Sequence, residues 1–287
     1  MYQLAVGLAV GAAFLIAVGA ALQSRSAVRV RFTDDSRLGF LIVLIRQRRW
    51  LAGAVVSVCG VGVHVVALSL GPVSAIQPVG TVGLIFAVAA KAALDRARPS
   101  ARAVSGAVVV IVGLAAFLLV LPPGEGRPQV PARGAVGMAV IALGIAGVAL
   151  ALPRERVGVN VRAAAAATGA GASFGVGAAL IGVIGRRLAR SVDTVLAWPT
   201  VVVIILMLAG GVAQQYAYGL ARFAEVYAVV LVADPFTAAF TGVVVLRDPI
   251  PTAPLDLAWL AVAAALTAAG VVVLSRDHPA RARGQAG

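Results

Sequence analysis

Apolar residues occupy this chain in blocks of about twenty. Between the blocks lie short segments where arginine, proline and glycine collect. A helix of about 20 residues, rising 1.5 Å per residue, crosses the roughly 30 Å hydrocarbon layer of a bilayer. The pattern therefore predicts nine membrane-spanning helices, over 4–22, 51–70, 73–94, 102–121, 134–152, 163–185, 196–218, 223–246 and 256–274. A tenth candidate lies in SRLGFLIVLIRQRRW, where the apolar core runs only from Leu38 to Ile45. That length suits an interfacial helix with arginine flanks or a half-spanning tenth helix, and both stay open. The first block, Leu4 to Leu22, has no basic residue before it, so it reads as a retained helix rather than a cleaved signal.

Composition agrees with this reading. Of 287 residues 61% are hydrophobic and 12% charged, with a mean hydropathy of +1.00. Soluble domains carry about a quarter of their residues as charges. The expected fold is thus an all-α integral membrane protein, a polytopic bundle forming one transmembrane domain over 1–287. A net charge of +13 would suit nucleic acid, but the basic residues lie between the apolar blocks, where they meet lipid headgroups. Alternating the spans puts 18 of the 24 basic residues on one side. The excess of arginine places the 275–287 tail in the cytoplasm and the protein in a bacterial plasma membrane. The N-terminus is then outside with nine spans and inside with ten. A single cysteine, Cys59, excludes a disulfide framework or a cysteine metal cluster.

Two parts of the chain share a plan. VHVVALSLG ends one helix, a GP turn follows, and the next helix bears AIQP; later, VAQQYAYGLARFAEVYAVVLVADP repeats helix, turn and helix. Each pair leads into a charged connector and a last apolar helix. A first repeat over 4–121 and a second over 163–274, separated by a linker and central helix at 122–152, would enter the membrane from opposite sides. Inverted repeats of this kind build secondary transporters.

Within the first repeat, Gly71 and Pro72 form the hairpin, Pro72 standing near the first helical position, where a missing N–H costs little. Pro78 lies deeper in the next helix and frees a carbonyl, which a membrane tolerates only where protein or water satisfies it. Gln77 beside it supplies a donor, so this face is expected to look inward.

GPVSAIQPVGTVGLIFAVA resembles the drug/metabolite transporter superfamily, in its EamA-like and NIPA-like magnesium-transporter branch. Pro72, Gln77, Pro78 and Gly80 match that branch's spacing, with Gln77 where threonine is usual. AQQYAYGLA and ADPFTAAFTGVVVL resemble the corresponding late helices. The resemblance covers about 4–274 and implies an inverted-repeat helical bundle that moves a small molecule or an ion.

Asp234 is the leading site candidate. It falls mid-helix within 223–246, where a carboxylate costs about 2.5–3.5 kcal/mol on insertion scales. It reads as a coupling carboxylate for a proton or cation, or as a structural hydrogen bond across the kink at Pro235. Glu225, three residues beyond Arg222, reads as half of an interfacial ion pair or as a gate. His64 suits a helix–helix hydrogen bond or the solute path. Of Gln214 and Gln215 one is expected to face inward, with Gln215 the path candidate; Tyr216 and Tyr218 fit an interfacial belt equally well. GAGASFGVGAALIGVIG lacks a phosphate-loop lysine, so Gly171 and Gly175 read as a close-packing motif. No catalytic arrangement, cofactor motif or metal site is visible, and the oligomeric state is not encoded. Three functions remain: a secondary transporter of a small amphipathic, drug-like or metabolite solute by alternating access; a NIPA-like Mg²⁺ or cation transporter; and a non-transporting accessory subunit of an envelope complex.

Overall fold

The computed structural model describes residues 2–31, 37–70, 73–122, 132–188 and 198–276. Its regular elements are helices: α1 (Tyr2–Arg31), α2 (Arg37–Ile45), α3 (Arg48–Leu70), α4 (Val73–Thr81), α5 (Gly83–Leu94), α6 (Ala101–Val120), α7 (Ala132–Ala151), α8 (Val159–Leu188), α9 (Trp198–Leu220), α10 (Phe223–Thr241), a π-helical turn (Gly242–Leu246) and α11 (Pro254–Ser275). Among the described residues, eight helices are long and apolar enough to cross a membrane. Many large apolar side chains face outward, as on α3, where Val55, Val58, Val61 and Val65 are exposed. In water such a surface would be untenable; against lipid chains it needs no cover. The chain is a multi-pass helical membrane protein by the length and composition of its helices.

The ninth expected span, 73–94, is divided. α4 contains Pro78 and ends at Thr81, and α5 starts afresh at Gly83. Proline donates no N–H and crowds the preceding turn. The turn after it tightens: Val82 N–H bonds to Val79 O at 3.2 Å, and the Thr81 hydroxyl donates to Pro78 O at 2.6 Å. The apolar piece Pro78–Leu94 is thus shorter than the eight full-length helices. Gly71 and Pro72 lie outside the described residues, as does the side chain of Gln77. The short segment near residue 40 forms α2, nine residues long, with Phe40 and Leu44 buried and Ile42, Val43 and Ile45 exposed. Its length is far below a crossing, which favours the interfacial alternative.

α1 runs well beyond the expected 4–22. Gln23, Ser26, Ala27 and Val30 recur at helical spacing and are buried, while Arg29 is exposed. α1 packs chiefly on α3, α6 on α11, and α8 on both α9 and α10, with α7 against α8. Small residues set these distances. On α6, a Cβ at Gly113 would stand 2.7 Å from Thr267 N and 2.9 Å from Ala263 O of α11. At Gly171 it would stand 2.8 Å from Val230 O of α10, and at Gly175 it would meet Asp234 O. The Gly171–Gly175 pair therefore seats α10, as the spacing predicts. Ser100 caps α6, its hydroxyl accepting from Ala103 N–H at 2.9 Å, and Pro254 opens α11.

The termini of the helices give the bundle one basic end, carrying Arg25, Arg49, Arg96, Arg102, Arg154, Arg162, Arg222 and Arg276. Here α1, α2, α5, α6, α7, α8, α9, α10 and α11 contribute to a single apolar core. Toward the opposite end, buried residues among those described fall into three separate clusters. One joins α7, α8, α9 and the π turn; one joins α1, α3 and α4; one joins α6 and α11, with Phe236 of α10 against it. Gly113→Ala is expected to destabilise the bundle by about 1–3 kcal/mol. Gly144→Ala, which meets nothing within 4 Å, should be neutral or slightly stabilising. Thermal unfolding of both variants in detergent checks the contrast.

Candidate functional site

At the basic end the first and second halves of the chain are tied by side-chain amides. Gln215 of α9 is buried among apolar neighbours Ala213, Ala217 and Tyr218. An amide placed there must find partners or cost about 1–3 kcal/mol for each unmet group. Its Nε2 donates to Gln23 Oε1 of α1 at 2.5 Å, and its Oε1 accepts from Trp50 Nε1 of α3 at 3.0 Å. Gln23 Nε2 donates onward to Ser57 Oγ of α3 at 3.3 Å. Both amides thus use both of their ends, and a satisfied chain of this kind fixes the helices that carry it.

An aromatic layer lies beside the network. Tyr218 is fully buried; its hydroxyl accepts from Gln214 Nε2 at 3.1 Å. Its ring stands 5.4 Å from that of Phe223, which stands 5.5 Å from that of Tyr227. Across the seam, a Cβ at Gly83 of α5 would lie 3.2 Å from the Tyr227 hydroxyl. Phe40 of α2 fits against Gly219, and Arg25 Nη1 donates to Leu94 O at the end of α5. Tyr218 therefore belongs to the core and not to an interfacial belt.

The other end differs. α10 is central, touching α5, α6, α8, α9 and α11. Its first turns are buried, through Val226, Tyr227, Ala228 and Val230, yet every residue from Leu231 to Ala239 is only half-buried. Asp234 stands in this stretch, seven residues and about two turns beyond Tyr227, on the same face. Among the described residues its carboxylate makes no hydrogen bond or ion pair, so Pro235 has no Asp234 bond spanning it. α10 continues through Pro235 to Thr241, and the π-helical turn completes the predicted 223–246 span.

The remaining candidates stand apart. His64 is half-buried on α3, beside Gly80 of α4, where a Cβ would lie 3.7 Å from His64 Cε1. Glu225 is half-buried in the first turn of α10, but the expected ion pair with Arg222 is not formed: Lys91–Asp95 is the ion pair found among the described residues. Arg222 is the N-cap, with extended backbone (φ −69°, ψ 142°), so the side-by-side placement of residues three apart inside a helix does not apply. Glu225 instead faces the positive end of the helix dipole. Among the described residues no three His, Cys, Asp or Glu gather as a metal site. The structure adds Gln23, Trp50 and Ser57 to the site. Gln23 was missed, and the signal that could have found it is its place on the stripe 23, 26, 27, 30 of α1; Trp50 and Ser57 carried no comparable signal.

These features define a helical membrane protein whose halves meet through polar groups at one end. No family model matches the chain, and no solved structure matches it. An uncharacterized protein of Corynebacterium glutamicum is 24% identical over 276 residues, spanning 92% of this chain and 91% of that protein. Gln215→Leu is expected to cost about 1–3 kcal/mol by stranding Gln23 Oε1 and Trp50 Nε1. Adding Gln23→Leu should be non-additive, with a coupling of about 0.5–3 kcal/mol in a double-mutant cycle of thermal unfolding.

Proposed function

We propose that this protein is a secondary transporter of the drug/metabolite type, moving a small amphipathic or neutral solute by alternating access. The observation that carries the reading is the asymmetry of the seam. One end is sealed by the Gln23–Gln215–Trp50 network and a shared core, while toward the other end the buried residues divide into separate clusters and the Asp234 stretch of α10 is only half-buried. A carrier caught open to one side has this form.

Helix pairing supports two inverted repeats. The contacts α1–α3, α1–α5 and α5–α6 recur as α8–α9, α8–α10 and α10–α11, with α7 between the sets and α6 against α11 across them. One helix between two four-span sets, α4 and α5 counting together, makes the second set enter from the opposite face. In each set the third span contains a proline, Pro78 or Pro235. The excess of arginine makes the sealed end cytoplasmic, in the plasma membrane, with the C-terminus on that side. Asp234 is the coupling group: an unpartnered carboxylate in the hydrocarbon layer is costly, so binding a proton or a cationic solute there drives the change of access.

Charge movement after pH steps tests this on a solid-supported membrane bearing the reconstituted protein. The wild type is expected to give a transient current, and Asp234→Asn to abolish it while leaving the thermal midpoint within about 0.5 kcal/mol equivalent. An unchanged current in the variant rejects the coupling role.

A further inference from the structure

We propose that the basic end holds a binding site for a phosphate-bearing headgroup, in the cleft where α1, α3 and α5 meet. The cleft has a volume of about 540 Å³ and is lined by Leu22, Arg25, Arg49, Ala93, Leu94, Asp95 and Arg96. Small-ligand pockets commonly fall within about 300–1,000 Å³. Three arginines and one aspartate therefore line it, and that aspartate, Asp95, is already paired with Lys91. The cleft is left with a surplus of positive charge in a fork geometry suited to phosphate oxygens.

The arginines are held in place by the local fold. Arg25 donates from Nη1 to Leu94 O, which anchors its guanidinium in the cleft and satisfies a carbonyl at the end of α5. Among the described residues its other N–H groups have no partner. Arg96 sits just past α5 with φ 53°, a left-handed position that favours glycine. Ala97 N–H closes the turn onto Ala92 O at 2.9 Å. Arg49 opens α3 and is exposed. Leu22, Ala93 and Leu94 supply an apolar wall, which a free inorganic anion would not need and an acyl chain would use. The cleft also adjoins the polar lock, since Leu22 precedes Gln23 and Arg49 precedes Trp50. An occupant bridging α1, α3 and α5 would brace the sealed end, whether or not the protein transports anything.

The full-length protein in nanodiscs tests the site. Its thermal midpoint is measured in phosphatidylcholine, in phosphatidylglycerol, and in phosphatidylcholine with millimolar glycerol 3-phosphate. A rise in phosphatidylglycerol alone identifies a lipid headgroup, and a rise with glycerol 3-phosphate identifies a soluble phosphate ester; both support the site. Either rise should be lost in Arg49→Gln/Arg96→Gln, with affinity reduced about tenfold or more. It should persist in Arg154→Gln/Arg156→Gln, which removes the same charge elsewhere at this end. Native mass spectrometry gives a second reading: the wild type should retain one more phosphatidylglycerol than the Arg49/Arg96 variant. No rise in any medium, or equal loss in both double variants, overturns the proposal.

Discussion

The bond between Gln215 and Gln23 is the constraint on which the arrangement depends. A buried amide in a membrane bundle cannot be left to water, so each must be answered by another polar group. Here one residue from the second half of the chain is answered by two from the first, and the helices that carry them are drawn together at the basic end. The aromatic layer of Tyr218, Phe223 and Tyr227 follows from this closure, because rings that large need a seam already narrow enough to fill. At the opposite end no such polar network is found among the described residues; α6 meets α11 and α10 through apolar contacts, Phe117 stacking on Phe236 at 4.0 Å, while the α1–α3–α4 and α7–α8–α9 clusters stand apart.

Close helix packing without a hydrophobic driving force is the second requirement, and small residues meet it. Lipid tails are as apolar as leucine, so helices associate through contact and geometry. The glycines of α6 and α8 bring backbones together at Thr267 and Val230. The α8–α10 contact matters most for the site, since Gly171 and Gly175 fix the segment of α10 that carries Asp234. A carboxylate in a span is held at a defined depth only if its helix is, and this pair of glycines does that.

Much of the fold was legible in the apolar blocks. Six of the expected spans coincide with α-helices to within a few residues, 4–22 is extended to Arg31, and 223–246 needed the π-helical turn to complete it. The pattern failed where apolarity and continuity part company. Residues 73–94 are apolar enough to read as one span, yet Pro78 and the glycines around it divide them, because backbone hydrogen bonding and not hydropathy decides continuity. It also failed at 23–31, where arginines suggested a connector while Ala27 and Val30, with a hydrogen-bonded Gln23, give α1 a face that packs in the interior. For the site, Asp234 and Gln215 were visible as isolated polar residues in apolar runs. Trp50 and Ser57 were not, since their roles come from the pairing of α3 with α1 and α9, which the sequence does not state. Arg222 and Glu225 make no salt bridge because Arg222 is an extended N-cap outside the helix, although its charge still reaches Glu225.

The central claim is that α1 and α3 of the first half part from α8 and α9 of the second at one end while they close at the other. Spin labels on α3 and at or just beyond the ends of α9 measure it: one pair at the basic end, Arg49→Cys with Arg222→Cys at the N-cap of α10, and one at the opposite end, Val66→Cys with Val201→Cys, each with Cys59→Ser. Distances recorded across a pH series in lipid should show two populations that shift in opposite senses, the basic-end pair lengthening as the other shortens. A single distance at each end, unmoved by pH, would contradict alternating access and describe a rigid membrane scaffold.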